Sequence, residues 1–184
     1  MPSIPYRMTF LDEESARVAA EIKERRGGRL LNLDRLLLQC PPLAEGWSAL
    51  MSRVRKGYRV CTRHRELVIC AVAKMNGAHY EFHYHRGRLV EAGASEAQVS
   101  ALDDVATAAT NAALFGGADL AVLSFVLEST RDVQISGSTM SALRSHFPNP
   151  AEVIELMMLV ASYNMVTRVE VGLGVEIEGT EATL

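Results

Sequence analysis

The segment Arg65-Glu66-Leu67-Val68-Ile69-Cys70-Ala71-Val72-Ala73-Lys74-Met75-Asn76 decides the fold. Its apolar run, Leu67 to Ala73, is unbroken, so it has no polar face in either a strand or a helix. A buried strand is one reading of such a run. The residue types favour a helix, because Glu66, Ala71, Ala73, Lys74 and Met75 are good helix formers. Asn76-Gly77 supplies a stop. A helix that is apolar all round must be covered on every side, so this segment belongs at the centre and the other elements must surround it.

Helical periodicity continues in both directions. Towards the N-terminus, helices are expected over Glu13–Arg26, ended by Gly27-Gly28, over Arg29–Gln39, and, beyond the separating Pro41-Pro42, over Leu43–Arg55. Towards the C-terminus the spacing predicts Ala78–Ala92, closed by Gly93. Ser95 is the expected N-cap of a short helix reaching Leu102. Further helices are expected over Asp119–Arg131, Ser138–Phe147 and Ala151–Val169, with Pro148-Asn149-Pro150 as a break. The one strand-like patch is Gly174–Gly179. No internal repeat or linker interrupts the pattern, so residues 1–184 are expected to form a single all-α domain, a helical bundle with a central two-helix motif.

Composition bounds what such a bundle does. The chain has 184 residues, 48% hydrophobic and 22% charged, with a formal net charge of -3. That balance gives no electrostatic reason to expect nucleic acid as a partner. Arg53, Arg55, Arg59, Arg63 and Arg65 form a local basic cluster, readable as a solvated edge or oligomer contact, or as a lure for an anionic substrate. No apolar stretch reaches the ~18 residues of a membrane span, so no membrane partner is expected. The N-terminus lacks the apolar run of a signal peptide. Cys40, Cys61 and Cys70 form neither a CxxC motif nor a secretory disulfide pattern. These features together suggest a reducing, cytoplasmic setting.

The polar groups that stand out lie on the central pair. At about 100° per residue, Glu81 and His85 sit side by side on the stripe that also carries Phe82 and Leu89. This stripe should face the core, and His79, His83, Arg86 and Val90 should lie opposite. A carboxylate beside an imidazole favours its protonated form, while burial disfavours charge, and the competition suits proton transfer. A purely structural Glu–His pair is the competing reading. Glu66 is readable as a first-turn acid complementing the helix dipole, or as a carboxylate near His85 at the mouth of a dry pocket. His79 and His83 have the spacing of a helical metal pair but lack an obvious third ligand, so no metal is expected. Cys70, one turn beyond Glu66, reads as a packing thiol. Tyr80, Tyr84, Trp47 and Tyr163 read as core or interface aromatics. Asn164, polar in an apolar helix, needs a hydrogen-bond partner if buried.

These residues bear a resemblance. Arg65-Glu66-Leu67-Val68-Ile69, then Gly77-Ala78-His79-Tyr80-Glu81-Phe82-His83-Tyr84-His85, then Ala92-Gly93 and Ser95-Glu96, resembles the core motif of the carboxymuconolactone decarboxylase and alkyl hydroperoxidase D superfamily. That motif reads RELV, an apolar helix, YEW-x-x-H, a glycine and a short acidic helix, and here Phe82 stands for the tryptophan. Glu155-Leu156, Tyr163-Asn164-Met165 and Gly174-Val175-Glu176 look like the last helix and tail of the same proteins. The core motif occupies about residues 43–110. The resemblance implies a helical protein that assembles as a homotrimer or homohexamer. It implies proton-relay roles for Glu66 and His85. The cysteine pair of the hydroperoxidase branch would fall at Ala78 and Glu81, and is absent. The lactone decarboxylases share the Glu and His pattern but usually lack the YEW element.

Three functional expectations follow. The first is a cofactor-free enzyme acting on a small organic acid or lactone. In it His85 is general acid/base, Glu81 orients it, Glu66 is a second proton-transfer group, and Tyr80, Phe82 and Cys70 line the substrate. The second is a peroxidase-like protein of the alkyl hydroperoxidase type, which would need a reactive Cys70. The third is a non-catalytic oligomeric protein that binds small molecules.

Overall fold

The computed structural model describes residues 2–179, and every element assigned in it is helical. It divides into two compact units, residues 1–56 with 172–184, and residues 57–171.

The first unit contains α1 (Glu13–Arg25), α2 (Asn32–Leu37) and α3 (Pro41–Arg55). Asp12 caps α1, its carboxylate accepting from the Ser15 N–H at 2.8 Å. Val18, Ala19 and Ile22 of α1 recur at helical spacing and bury against Leu30, Leu38 and Ala44. α2 is shorter than the expected Arg29–Gln39, because Arg29 to Leu31 are not helical, with Leu31 extended, and the chain turns after Leu37. The Leu31 N–H donates to the buried Asp34 carboxylate, which Arg26 also meets at 2.6 Å. Pro41-Pro42, expected to separate two helices, instead open α3. The first turn has no use for their missing N–H groups, so proline fits there. The strand-like patch Gly174–Gly179 is irregular backbone, not a strand. It is held by bonds to the N-terminal segment, from the Asn32 side chain to the Glu176 carbonyl at 3.0 Å and from the Glu176 N–H to the Tyr6 hydroxyl at 3.0 Å.

The second unit is built on α4 (Thr62–Met75), α5 (His79–Glu91), α6 (Glu96–Ala101), a 3-10 turn at Leu102–Asp104, α7 (Val105–Ala108), α8 (Gly117–Arg131), α9 (Gly137–His146) and α10 (Pro150–Leu173), of which the last two residues belong to the other unit. The unbroken apolar segment is a helix, and all eight residues from Glu66 to Ala73 are buried. α4 packs on α5 along one side and on α8 along another, while the 3-10 turn and α7 cover further parts of it. This enclosure accounts for the missing polar face.

α4 starts three residues earlier than expected. Thr62, Arg63 and His64 form its first turn and Cys61 occupies the N-cap position. Glu66 therefore lies beyond the first turn, and its reading as a dipole-complementing terminal acid is withdrawn. The turn into α5 is a tight one. The Gly77 N–H donates to Lys74 O at 3.2 Å and the Ala78 N–H to Ala73 O at 2.8 Å, with Gly77 at φ +66°. These paired bonds satisfy the last carbonyls of α4 only if one residue adopts the left-handed conformation, which suits glycine. The turn folds α5 back along α4.

Asn164 ties three helices together. It accepts from the Asn76 side chain at 2.9 Å and donates to the Thr130 hydroxyl at 3.0 Å. α10 buries Leu156, Leu159, Val160, Tyr163 and Val166 and leaves Ile154 and Met158 exposed.

Candidate functional site

The hairpin of α4 and α5 brings three titratable side chains into one buried cluster. His85 Nδ1 lies 2.6 Å from Glu66 Oε2, and His85 Nε2 lies 2.9 Å from Glu81 Oε1. The second contact is the expected i,i+4 neighbour on α5. The first crosses between helices and depends on the Gly77 turn. Tyr163 of α10 closes the cluster, its ring edge-on to the imidazole at a centroid distance of 5.7 Å.

The charge state of His85 follows from this geometry. A neutral imidazole has one N–H, whereas the imidazolium has two. With a carboxylate facing each nitrogen, only the protonated ring meets both partners as a donor. Burial by itself pushes the His85 pKa down. The negative charge of Glu81 and the hydrogen bond to Glu66 outweigh it, and the net result is a pKa above the ordinary 6.5. The three groups are unequally accessible. The Glu66 side chain keeps 11% of its surface, against 4% for His85 and for Glu81. Glu66 is thus the outward end of a Glu81–His85–Glu66 row.

This arrangement carries a pH signature. A group with a raised folded-state pKa contributes its full stabilisation below the unfolded-state value and loses it as pH rises through the folded value. The stability advantage of the wild type over His85→Gln should therefore shrink as pH rises above the ordinary histidine value of 6.5. Thermal melts of the two proteins across that range would show it. A constant difference would mean that His85 stays neutral in the fold.

The remaining candidates are placed as follows. Tyr80 is buried with its ring 5.1 Å from that of Tyr84. Phe82 is partly exposed, and the Lys74 ammonium lies 4.0 Å from its ring centroid. Lys74 also pairs with Asp103. Cys70 is completely buried. Burial first, then the charges of Glu66 and Glu81, push its thiol well above the ordinary value. His79 and His83 are both exposed on the far side of α5, and among the described residues no three ligand-type side chains surround a common point. Of the basic cluster, Arg63 is anchored to Asp119 of α8 at 2.8 Å. Tyr163 was readable as a buried aromatic, but no sequence signal tied it to His85.

A helical unit whose central hairpin buries a Glu–His–Glu row is of the alkyl hydroperoxidase D-like class. Residues 41–123 match the carboxymuconolactone decarboxylase family. The solved neighbours described next share the alkyl hydroperoxidase D-like fold of this chain. Its fold is similar to a peroxidase-related protein from Silicibacter sp., with a TM-score of 0.78 and 16% identity over 97% of this chain and 92% of that one. It is similar to a peroxidase-related protein with an AhpD core from Ralstonia eutropha, with a TM-score of 0.72 and 15% identity over 96% and 94%. It is also similar to the debrominase Bmp8, solved with 2,3,4-tribromopyrrole, with a TM-score of 0.71 and 16% identity over 96% and 94%. No curated protein sequence is significantly similar to the chain. No helix among the described residues is long and apolar enough to cross a membrane.

Proposed function

We propose that the protein is a cofactor-free enzyme that transfers protons at a small organic acid or lactone, with decarboxylation as the reaction. The observation that carries this reading is the imidazole of His85 held between two carboxylates, one of which reaches towards the surface. Loss of carbon dioxide leaves the bonding electron pair on carbon, as a carbanion or enolate, and that carbon must then be protonated. Glu66, the most accessible of the three, presents the proton. His85 replenishes Glu66 through Nδ1, and Glu81 holds the imidazolium in place. Tyr80, Phe82 and Cys70 are the proposed substrate neighbours, with Cys70 contributing shape rather than a thiolate. The family match over residues 41–123 and the debrominase among the fold neighbours support a catalytic role.

A peroxidase-like reading draws on the peroxidase-related neighbours. It would require Cys70 as the reacting sulfur, and the burial and raised pKa of that thiol oppose it. Self-association is part of the proposal, supported by the exposed Ile154 and Met158 on α10, and light scattering measures it.

The test is carbon dioxide release from a panel of small carboxylated lactones, run beside peroxide consumption. Glu66→Gln should lower carbon dioxide release by about 10²-fold, while Cys70→Ser should keep most of it. Peroxide consumption that disappears in Cys70→Ser, with no carbon dioxide from any substrate, would overturn the proposal.

A further inference from the structure

The N-terminal end of α4 carries a second group of reactive side chains that the Glu–His–Glu row does not use. Cys61 is exposed, and its Sγ lies 3.3 Å from His64 Nδ1. On the other side of the ring, His64 Nε2 lies 3.3 Å from Asp119 Oδ1. Asp119 sits in the first turn of α8, and the Arg63 guanidinium donates to its Oδ2 at 2.8 Å and to Gln98 Oε1 at 3.2 Å. Phe147 packs edge-on against the His64 ring at a centroid distance of 5.1 Å. The order is thiol, imidazole, carboxylate, each within reach of the next, with the carboxylate fixed by an arginine and the ring fixed by an aromatic edge.

We infer that Cys61, His64 and Asp119 form a thiol nucleophile site that takes acyl groups from small activated esters or thioesters. Geometry and roles, not sequence position, define such a site. A nucleophile needs a base within hydrogen-bond reach, and that base needs a third group that orients it and stabilises its protonated form. His64 meets the first requirement through Nδ1 and Asp119 meets the second through Nε2. The three side chains stand in a row and do not surround a common point, which suits proton transfer and not metal ligation. Burial alone would raise the Asp119 pKa. The hydrogen bonds from His64 and Arg63 reverse this and hold it at about 2, so the orienting group stays anionic. Cys61 also occupies the N-cap position of a 14-residue helix. The first-turn N–H groups of a helix have no intrahelical acceptor, and the positive end of the helix dipole at this position favours negative charge.

The step balances as follows. Cys61 sulfur attacks the acyl carbon while His64 Nδ1 takes the thiol proton. The carbon–oxygen or carbon–sulfur bond of the leaving group breaks, and the leaving group departs with its electron pair, protonated by His64 or by solvent. The product is a thioester on Cys61. Water, deprotonated by His64, then releases the acid and restores the thiol. Asp119 acts through His64 and is a positioning residue.

The experiment uses the full chain and p-nitrophenyl acetate at neutral pH, following nitrophenolate release and locating the acetyl group by peptide mass spectrometry. Cys40, which is also exposed, serves as the internal reference thiol. The expected result is preferential acetylation of Cys61, lost in Cys61→Ser and slowed at least about 10-fold in His64→Gln, with Cys40 labelling unaltered. Asp119→Asn should slow it too, and Asp119→Glu should recover part of the rate, a rescue that a purely structural role would not produce. Circular dichroism melts check that each variant folds, and if Asp119→Asn does not, His64→Gln alone decides. Equal acetylation of Cys61 and Cys40, or a rate unaltered in His64→Gln, would overturn the inference.

Discussion

Replacement of His85 by glutamine should lower the proposed decarboxylation by about 10²- to 10⁴-fold, the range in which a positioned general acid or base contributes. Glutamine can hydrogen-bond to one carboxylate but can neither carry the proton nor cover both partners at once. It leaves Glu66 at the surface without a donor behind it, so a single proton delivery would not be replenished through the cluster. The loss should therefore fall on kcat, and KM should alter less, because His85 lies behind Glu66 and not at the substrate face. Buried as it is between two carboxylates, His85 also contributes to stability, and the circular dichroism melt must be recorded beside the kinetics. A variant that folds and still turns over at the wild-type rate would remove His85 from the mechanism. Retention of small-molecule binding with no turnover in either protein would favour a binding role.

The largest loss of stability is expected at Phe125. It lies in the middle of α8, fully buried, on the helix that packs against α4. Phe125→Ala should cost about 3–5 kcal/mol, since a buried aromatic ring is removed and the surrounding helices only partly close the cavity. For a chain of this length that corresponds to a fall in thermal midpoint of roughly 10 °C. α8 does not supply a member of the Glu–His–Glu row. Activity of the folded fraction, measured well below the lowered midpoint, should therefore stay within a few-fold of wild type. A variant with an unaltered midpoint would mean that the core between α8 and α4 is not packed as described.

The sequence pattern around Glu66, Tyr80, Glu81 and His85 carried the family resemblance. Residues 41–123 match the carboxymuconolactone decarboxylase family. The low identity of the fold neighbours limits them to the fold. The reaction is read from the site itself: two carboxylates, one imidazole and a gradient of access from Glu81 to Glu66.

Local sequence determined the helices and most of their ends, because the 3.6-residue period, the glycine stops and the capping residues act within a few positions of one another. It also determined that Glu81 and His85 are neighbours, since four residues on one helix are side by side whatever surrounds them. The start of α4 was misplaced because Cys61 lacks the side-chain capping bond that marks a helix start. Pro41 and Pro42 open α3 although their sequence suggests a break, because a proline pair marks a boundary without saying on which side of it the helix begins. Only the tertiary structure decided that Glu66 reaches the other nitrogen of His85, for that contact depends on the Gly77 turn and on α5 packing back along α4. It alone placed Tyr163 against the imidazole and Asp119 behind His64. Cys61 meets His64 one turn along α4, and the third member of that row comes from a distant helix. Periodicity reports which face of a helix is buried, whereas the identity of the side chain opposite is set by packing between segments far apart in the chain.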